Sequence, residues 1–332
     1  MRADGLVGFV ARRILYAVPL IAGVLTLTFL LLEAAPGGPA DLMIGDGPVA
    51  PEVRARIEAA YDLDRPALWR YGAWIRNAVT GNLGWSISRG REVTSVLADA
   101  LPNTIGLAGM ALGIQLLLGV FLGALHVVRP GTALDHGLGV FGLMLASIPS
   151  FWLGLMAILL FAIAIPIFPP SSSHSIGAGE WSLPARLADT LWHAALPALV
   201  LGLGAAGVIA RFVRAGLLEA LGQGFVRAAR ARGASPRRVL SLHALPAAAG
   251  PVVTLAGLQL PVLVSGAVVV EIVFGWPGMG RVTYDAVMAE DVPVVLAAVL
   301  LATILVVLGN LLTDVGLALI DPRVRLGTAD SP

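Results

Sequence analysis

Long apolar runs alternate with polar, arginine-bearing segments along this chain. The first run covers Ile14–Leu32, the second Leu101–Val128 and the third Leu138–Phe168. A fourth has its core at Leu196–Ile209, a fifth covers Val252–Phe274 and a sixth Val294–Leu319. A hydrocarbon layer of ~30 Å needs about 20 apolar residues in a helix. Backbone in lipid must also satisfy its own N–H and C=O groups, which a helix does. The pattern therefore predicts an all-α membrane protein with six transmembrane helices. Pro149 and Pro166 lie in the third run, which is expected to tilt or kink.

From Pro36 to about Leu101 the chain turns polar. Glu52–Tyr61 reads as a helix, and Trp69, Tyr71, Trp74 and Trp85 suit a membrane-interface layer. The first apolar run exceeds the about 7–15 residues of a signal-peptide core. It ends in Glu33-Ala34-Ala35-Pro36, so a retained span with a cytoplasmic N-terminus is expected. Short loops carry arginine on one side and acids on the other, and the arginine side marks the cytoplasm. Both termini are then expected inside. The organisation reads as a first helix with a long external region (1–100), a five-helix core (101–325) and a cytoplasmic tail (326–332).

Composition agrees with this class and removes several activities. Of 332 residues, 57% are hydrophobic and 13% charged, and mean hydropathy is +0.86. A net charge of +1 gives no footprint for nucleic acid. The absence of cysteine excludes disulfides, thiolate zinc sites and cysteine nucleophiles. Lysine is absent as well, so all 22 basic side chains are arginine. A P-loop needs its lysine on the nucleotide phosphates, so an ATP-driven version of this protein takes its ATP hydrolysis from another chain. No H-E-x-x-H or G-x-S-x-G occurs and the histidines are dispersed, which leaves an intramembrane enzyme or a metal site without support.

The densest positive cluster lies between the fourth and fifth runs, from Leu217 to Val253, and holds Arg227, Arg230, Arg232, Arg237 and Arg238. Phe225–Arg232 is built from Ala and Arg, both good helix formers. Gly233 stands where a left-handed helix end favours glycine. Ser235 and Pro236 restart a helix as N-cap and first residue. Two short helices joined at a bend are predicted. Ala228, Ala229 and Ala231 keep one side slim for a close neighbour.

RAARARG, followed by Ala-Leu and by Pro251 eighteen positions after Gly233, resembles the EAA loop of ABC-importer permeases. FVRAARARGASPRRVLSLHAL is similar to the version in dipeptide, oligopeptide and nickel permeases, and LDRP, RYGAWI and GNLGWS match that family's external region in order. The resemblance implies a type I importer permease fold whose loop, about 217–251, forms an L-shaped coupling helix in a groove of the ATPase. By that resemblance Arg227, Ala228, Ala229, Arg230, Arg232, Gly233 and His243 serve ATPase coupling. It also implies a second, homologous permease, two ABC ATPases that bind ATP and Mg, an extracytoplasmic solute-binding protein and a bacterial or archaeal cytoplasmic membrane. No cofactor and no metal is expected on this chain itself.

Departures from the family pattern are Gly38 and Asn82 in place of aspartate, and Pro246-Ala247 in place of Arg-Asn after HAL. Proline lacks the N–H donor and kinks helices, so the second arm of the loop is expected to end near Leu245.

Charges inside spans are costly and often functional. Glu271, with Trp276 and Gly278, matches E-x-x-F-x-W-P-G-x-G of the peptide permeases. These three are candidates for the pathway or outer gate; Glu271 could equally cap the WPGMG turn. Asn310 and Asp314 share a helix face, and Asp314 is expected against a polar neighbour. An ion-gradient transporter is the competing class, but it usually brings inverted repeats and broken polar helices, and neither is evident here.

Overall fold

The computed structural model describes residues 4–34 and 65–320. Expectations for Gly38, Glu52–Tyr61 and the segment after Ile320 lie outside them. Helix α1 spans Asp4–Glu33, α2 Ala67–Val79, α3 Val93–His126, α4 Ala133–Ser147 and α5 Ser150–Ile158. A π-helical stretch, Leu159–Ala164, continues α5. Then come α6 (Leu183–Gly222), α7 (Gly224–Ala231), α8 (Pro236–Val239), α9 (Leu245–Ala247) and α10 (Ala249–Gly266). Helices α11 (Val268–Val273), α12 (Met279–Met288) and α13 (Val292–Ile320) follow. Strands β1 (Trp85–Ser86) and β2 (Arg91–Glu92) pair antiparallel with Ser86 opposite Arg91, forming a small hairpin before α3.

Among the described residues, α1, α3, α6 and α13 contain single helices long and apolar enough to cross a membrane. The count rises to six if each of two bent pairs is taken as one span. One is the predicted third span, which is broken: Ala133–Ser147 and Ser150–Ala164 meet at 98°. The reason is local. Ile148 precedes Pro149, and the proline ring disfavours helical backbone there, leaving Ile148 extended at φ −77° and ψ 127°.

Two other boundaries move outward. Helix α3 starts at Val93, before the predicted Leu101, because Val93, Val96, Leu97 and Ala100 form one apolar stripe. That stripe is buried against Val282 and Ala286 of α12 and Val294 and Ala297 of α13. Helix α6 runs for 40 residues, about 60 Å at 1.5 Å per residue and roughly twice the hydrocarbon thickness. It therefore carries Arg211 and Arg214 beyond its apolar core and into the arginine loop.

Helices α3 and α6 run parallel at the centre. Leu107 packs with Ala194 and Ala198, and further along Gly119 meets Ile209 and Gly123 meets Val213. A Cβ on either glycine would fall 2.5 Å from its partner's side chain. Small residues let helices close in a solvent that supplies no hydrophobic drive between them. Helix α4 crosses α6 the same way, where a Cβ on Gly207 would fall 2.4 Å from the Gly142 carbonyl oxygen.

Helix α1 is peripheral, with Leu15, Tyr16 and Leu31 exposed. It is tied at one end by Arg13 Nε to Asp314 of α13 at 2.9 Å, the polar neighbour expected for Asp314. At its other end Thr26 bonds the Tyr71 hydroxyl at 2.7 Å, and Glu33 pairs with Arg70 of α2. The bundle thus has an elbow end, where α6 enters α7, and a hairpin end, where β1, β2, α12 and the start of α13 meet.

Candidate functional site

Gln223 has extended backbone and separates α6 from α7, turning the chain out of the long helix. Helix α7 closes with Gly233 at φ +86°. The Gly233 N–H bonds the Arg230 carbonyl at 2.9 Å and the Ala234 N–H bonds the Ala229 carbonyl at 3.2 Å. Those two bonds make a Schellman end, which needs a left-handed residue in this place. Ser235 then caps α8, its Oγ accepting from the Arg238 N–H at 3.4 Å, with Pro236 at the first turn. The bend stands where Gly233 and Ser235-Pro236 put it.

What holds the bend shut is apolar. Val226 and Ala229 of α7 bury against Val239 of α8, with Leu221 and Ala234 around them. Ala229 is therefore turned inward, at 2% exposure, and does not share the open side of Ala228 and Ala231. It lies three residues after Val226, on the same helix face. Arg227, Ala228, Arg230, Arg232 and Gly233 are exposed, as are Arg237 and Arg238, while His243 is half-buried. Among the described residues none of the five loop arginines pairs with a carboxylate. Phe225 and Leu242 stand exposed among them at 45% and 60%.

Pro246 does not end the second arm at Leu245. A π-helical turn, Leu240–Ala244, follows α8, and the Leu245 N–H reaches the Leu240 carbonyl. The wider turn absorbs the missing proline donor, so the helical path continues through α9 to Ala247. The arm then lies on α6: Ala244 and Ala248 pack against Val213, Leu217 and Ala220.

At the hairpin end Glu271, Trp276 and Gly278 are all buried. Glu271 Oε1 accepts from the Thr104 hydroxyl at 2.7 Å and Oε2 from the Arg281 N–H at 3.0 Å. Thr104 Oγ1 accepts in turn from the Met279 N–H at 2.7 Å. Both groups thereby satisfy open N–H groups in the first turn of α12. Trp276 donates its indole N–H to the Asn103 carbonyl at 3.1 Å, and Asn103 donates to the Pro277 carbonyl at 2.9 Å. Gly278 is required by space, since a Cβ there would lie 2.3 Å from a Glu271 oxygen. Of the readings left open for Glu271, this is the capping geometry.

Asp291 fastens the hairpin in a similar way. It accepts from Ser86 Oγ at 2.6 Å, Ser88 N at 3.0 Å and Ser88 Oγ at 2.7 Å. Beside it, the end of α1, α2, the hairpin and the start of α13 enclose a cleft of ≈ 910 Å3 lined by Trp69, Trp74 and Trp85 and by the Arg70–Glu33 pair.

A third polar cluster was not foreseen. Asp135 in the first turn of α4 accepts from Arg214 Nε at 2.9 Å and Nη2 at 2.7 Å, from the Gly131 N–H at 2.9 Å and from His126 Nδ1 at 2.6 Å. An acid in the arginine-bearing loop RPGTALDHG was the signal available. The clusters form no metal site: among the described residues no group of three or more His, Cys, Asp or Glu side chains could hold an ion.

A bundle of long apolar helices, closed by small residues and interrupted by an exposed arginine elbow, has the make-up of a multi-pass membrane protein. The chain belongs to the family of binding-protein-dependent transport system inner membrane components, which it matches over residues 115–326. Residues 6–108 match the N-terminal membrane component of the same systems.

The chain is 34% identical to the oligopeptide transport system permease protein AppB of Bacillus subtilis, covering 96% of this chain and 99% of that one. It is 35% identical to the di/tripeptide transport system permease protein DppB of Pseudomonas aeruginosa, again over 96% and 99%. The inward-facing MetNI methionine ABC transporter shares the fold, with a TM-score of 0.53 and 22% identity over 68% of this chain and 96% of that one. The chain is a permease subunit of a binding-protein-dependent ABC importer, and the ion-gradient alternative is set aside.

Proposed function

We propose that this subunit imports peptides or similar small solutes, as its curated relatives' names suggest, and that it forms the pathway with a second permease. Its elbow faces the cytoplasm and seats an ATPase chain that binds ATP and Mg. An external binding protein delivers solute at the hairpin end. ATP binding draws the ATPases together, moves the elbows with them and turns the cavity outward, a population shift driven by different contacts in two states.

The observation that carries this reading is the elbow itself. It presents Arg227, Arg230, Arg232, Arg237 and Arg238 exposed and, among the described residues, without a carboxylate partner, with Phe225 and Leu242 exposed as well. Arginine and aromatic side chains are enriched at protein interfaces, and an arginine fork suits a carboxylate on a partner. Helix α6 supplies the reach, since it continues from the apolar core to Gly222, where Gln223 turns the chain into the elbow.

The test is co-purification of the ATPase subunits with Arg230→Glu and Gly233→Pro variants, together with solute uptake. Loss of both is expected. Wild-type recovery of the ATPases with wild-type uptake would refute the docking role.

A further inference from the structure

The elbow's second arm touches α6, yet a subunit that changes its opening must move more than one helix. Three observations show what is fastened to α6. First, α3 is locked to it by the close contacts at Gly119 and Gly123, and α4 by the backbone contact at Gly142 and Gly207. Second, Asp135 is 5% exposed and collects four donors from three places: the end of α3 (His126), the turn after it (Gly131) and α6 (Arg214). A carboxylate offers about four acceptor positions, so this one is saturated. The Arg214 contact is the bidentate fork that fixes orientation as well as distance. Third, the elbow arm packs at the same level, on Val213, Leu217 and Ala220. Gly216 leaves room for Ala248 there; a Cβ would come within 3.1 Å of the alanine methyl.

We propose that Asp135, with Arg214 and His126, is a positioning cluster for coupling. It makes the elbow-end segments of α3, α4 and α6 one rigid body with the elbow. Displacement of the elbow then reaches the 98° break between α4 and α5, where Ile148 leaves the helical conformation ahead of Pro149. None of the three residues needs to meet solute. The inference rests on the elbow being the ATPase contact.

The test uses the complete importer, with its ATPases and binding protein, reconstituted in vesicles. Asp135→Asn keeps the shape and removes the charge. It is expected to leave ATPase recovery and basal ATP hydrolysis unchanged while solute moved per ATP falls by roughly tenfold, toward the upper end of measured coupling effects. Arg214→Met should do the same, and the double variant should be no worse than either single one, because one contact is being removed twice.

The chain has no cysteine, so spin labels at Val140→Cys on α4 and Ser241→Cys on the elbow report one distance. In the parent that distance should stay fixed between nucleotide-free and nucleotide-bound states. With Asp135→Asn it should change. If Asp135→Asn does not accumulate, Arg214→Lys is read instead: it keeps the charge, loses the fork, and should show intermediate uptake per ATP.

Wild-type uptake per ATP in these variants, or a parent distance that changes with nucleotide, overturns the proposal. ATPases that fail to bind the parent elbow at all would instead remove the reading beneath it.

Discussion

At the hairpin end, Glu271 and Asp291 are enclosed by protein, and each accepts hydrogen bonds from a segment far away in sequence. At the elbow end, five arginines face outward and, among the described residues, none has a carboxylate. The two ends use charge in opposite ways. A buried polar group is costly unless paired, so a satisfied one fixes geometry. An exposed arginine costs little and keeps its donors for another molecule. Asp135 lies at the elbow end but follows the hairpin-end rule, which marks it as part of the frame and leaves the arginines as the proposed contact.

Four variants test that contrast. Glu271→Ala should have the largest effect on stability, about 3 kcal/mol, because it strands the Thr104 hydroxyl and the N–H groups of α12 in the interior. It should appear as a lower unfolding temperature in detergent, with ATPase binding intact in the protein that remains folded. Asp291→Ala should cost about 2 kcal/mol by freeing Ser86 and Ser88, and limited proteolysis should find the hairpin first. Gly233→Ala should cost about 1 kcal/mol, the strain of a side chain at φ +86°, and should weaken ATPase recovery more than it lowers the unfolding temperature. Arg227→Glu with Arg230→Glu should change stability least, by under about 0.5 kcal/mol, while abolishing ATPase recovery. If the elbow variants unfolded the protein and Glu271→Ala did not, the contrast would be reversed.

How much of this was legible depended on how local the instruction is. The bend was readable because Gly233, Ser235 and Pro236 act through their own backbone. The apolar runs were readable because bilayer thickness sets their length. The side that Ala229 faces was misread, since Ala228, Ala229 and Ala231 look alike until Val226 and Val239 show which side closes the elbow.

The break at Ile148-Pro149 was foreseen as a kink, because a proline acts on the residue before it; its size of 98°, with α5 resting on α6 and α11, is not written in the local sequence. Pro246 was read as a stop because the π turn that absorbs it has no distinct sequence mark. Thr104, Asp135 and Asp291 find partners 167, 79 and 205 residues away. A pattern read along the chain carries no such pairing.

On the proposed reading, the exposed elbow lies in the cytoplasm beneath an ATPase subunit. One cysteine at Ala228, on a chain that has no other, tests it with a thiol reagent that cannot cross membranes. Labelling is expected only when the cytoplasmic face is opened, and it should be blocked once the ATPase subunits are bound. Labelling from the outside of intact cells, or labelling that the ATPases leave unchanged, would contradict the account.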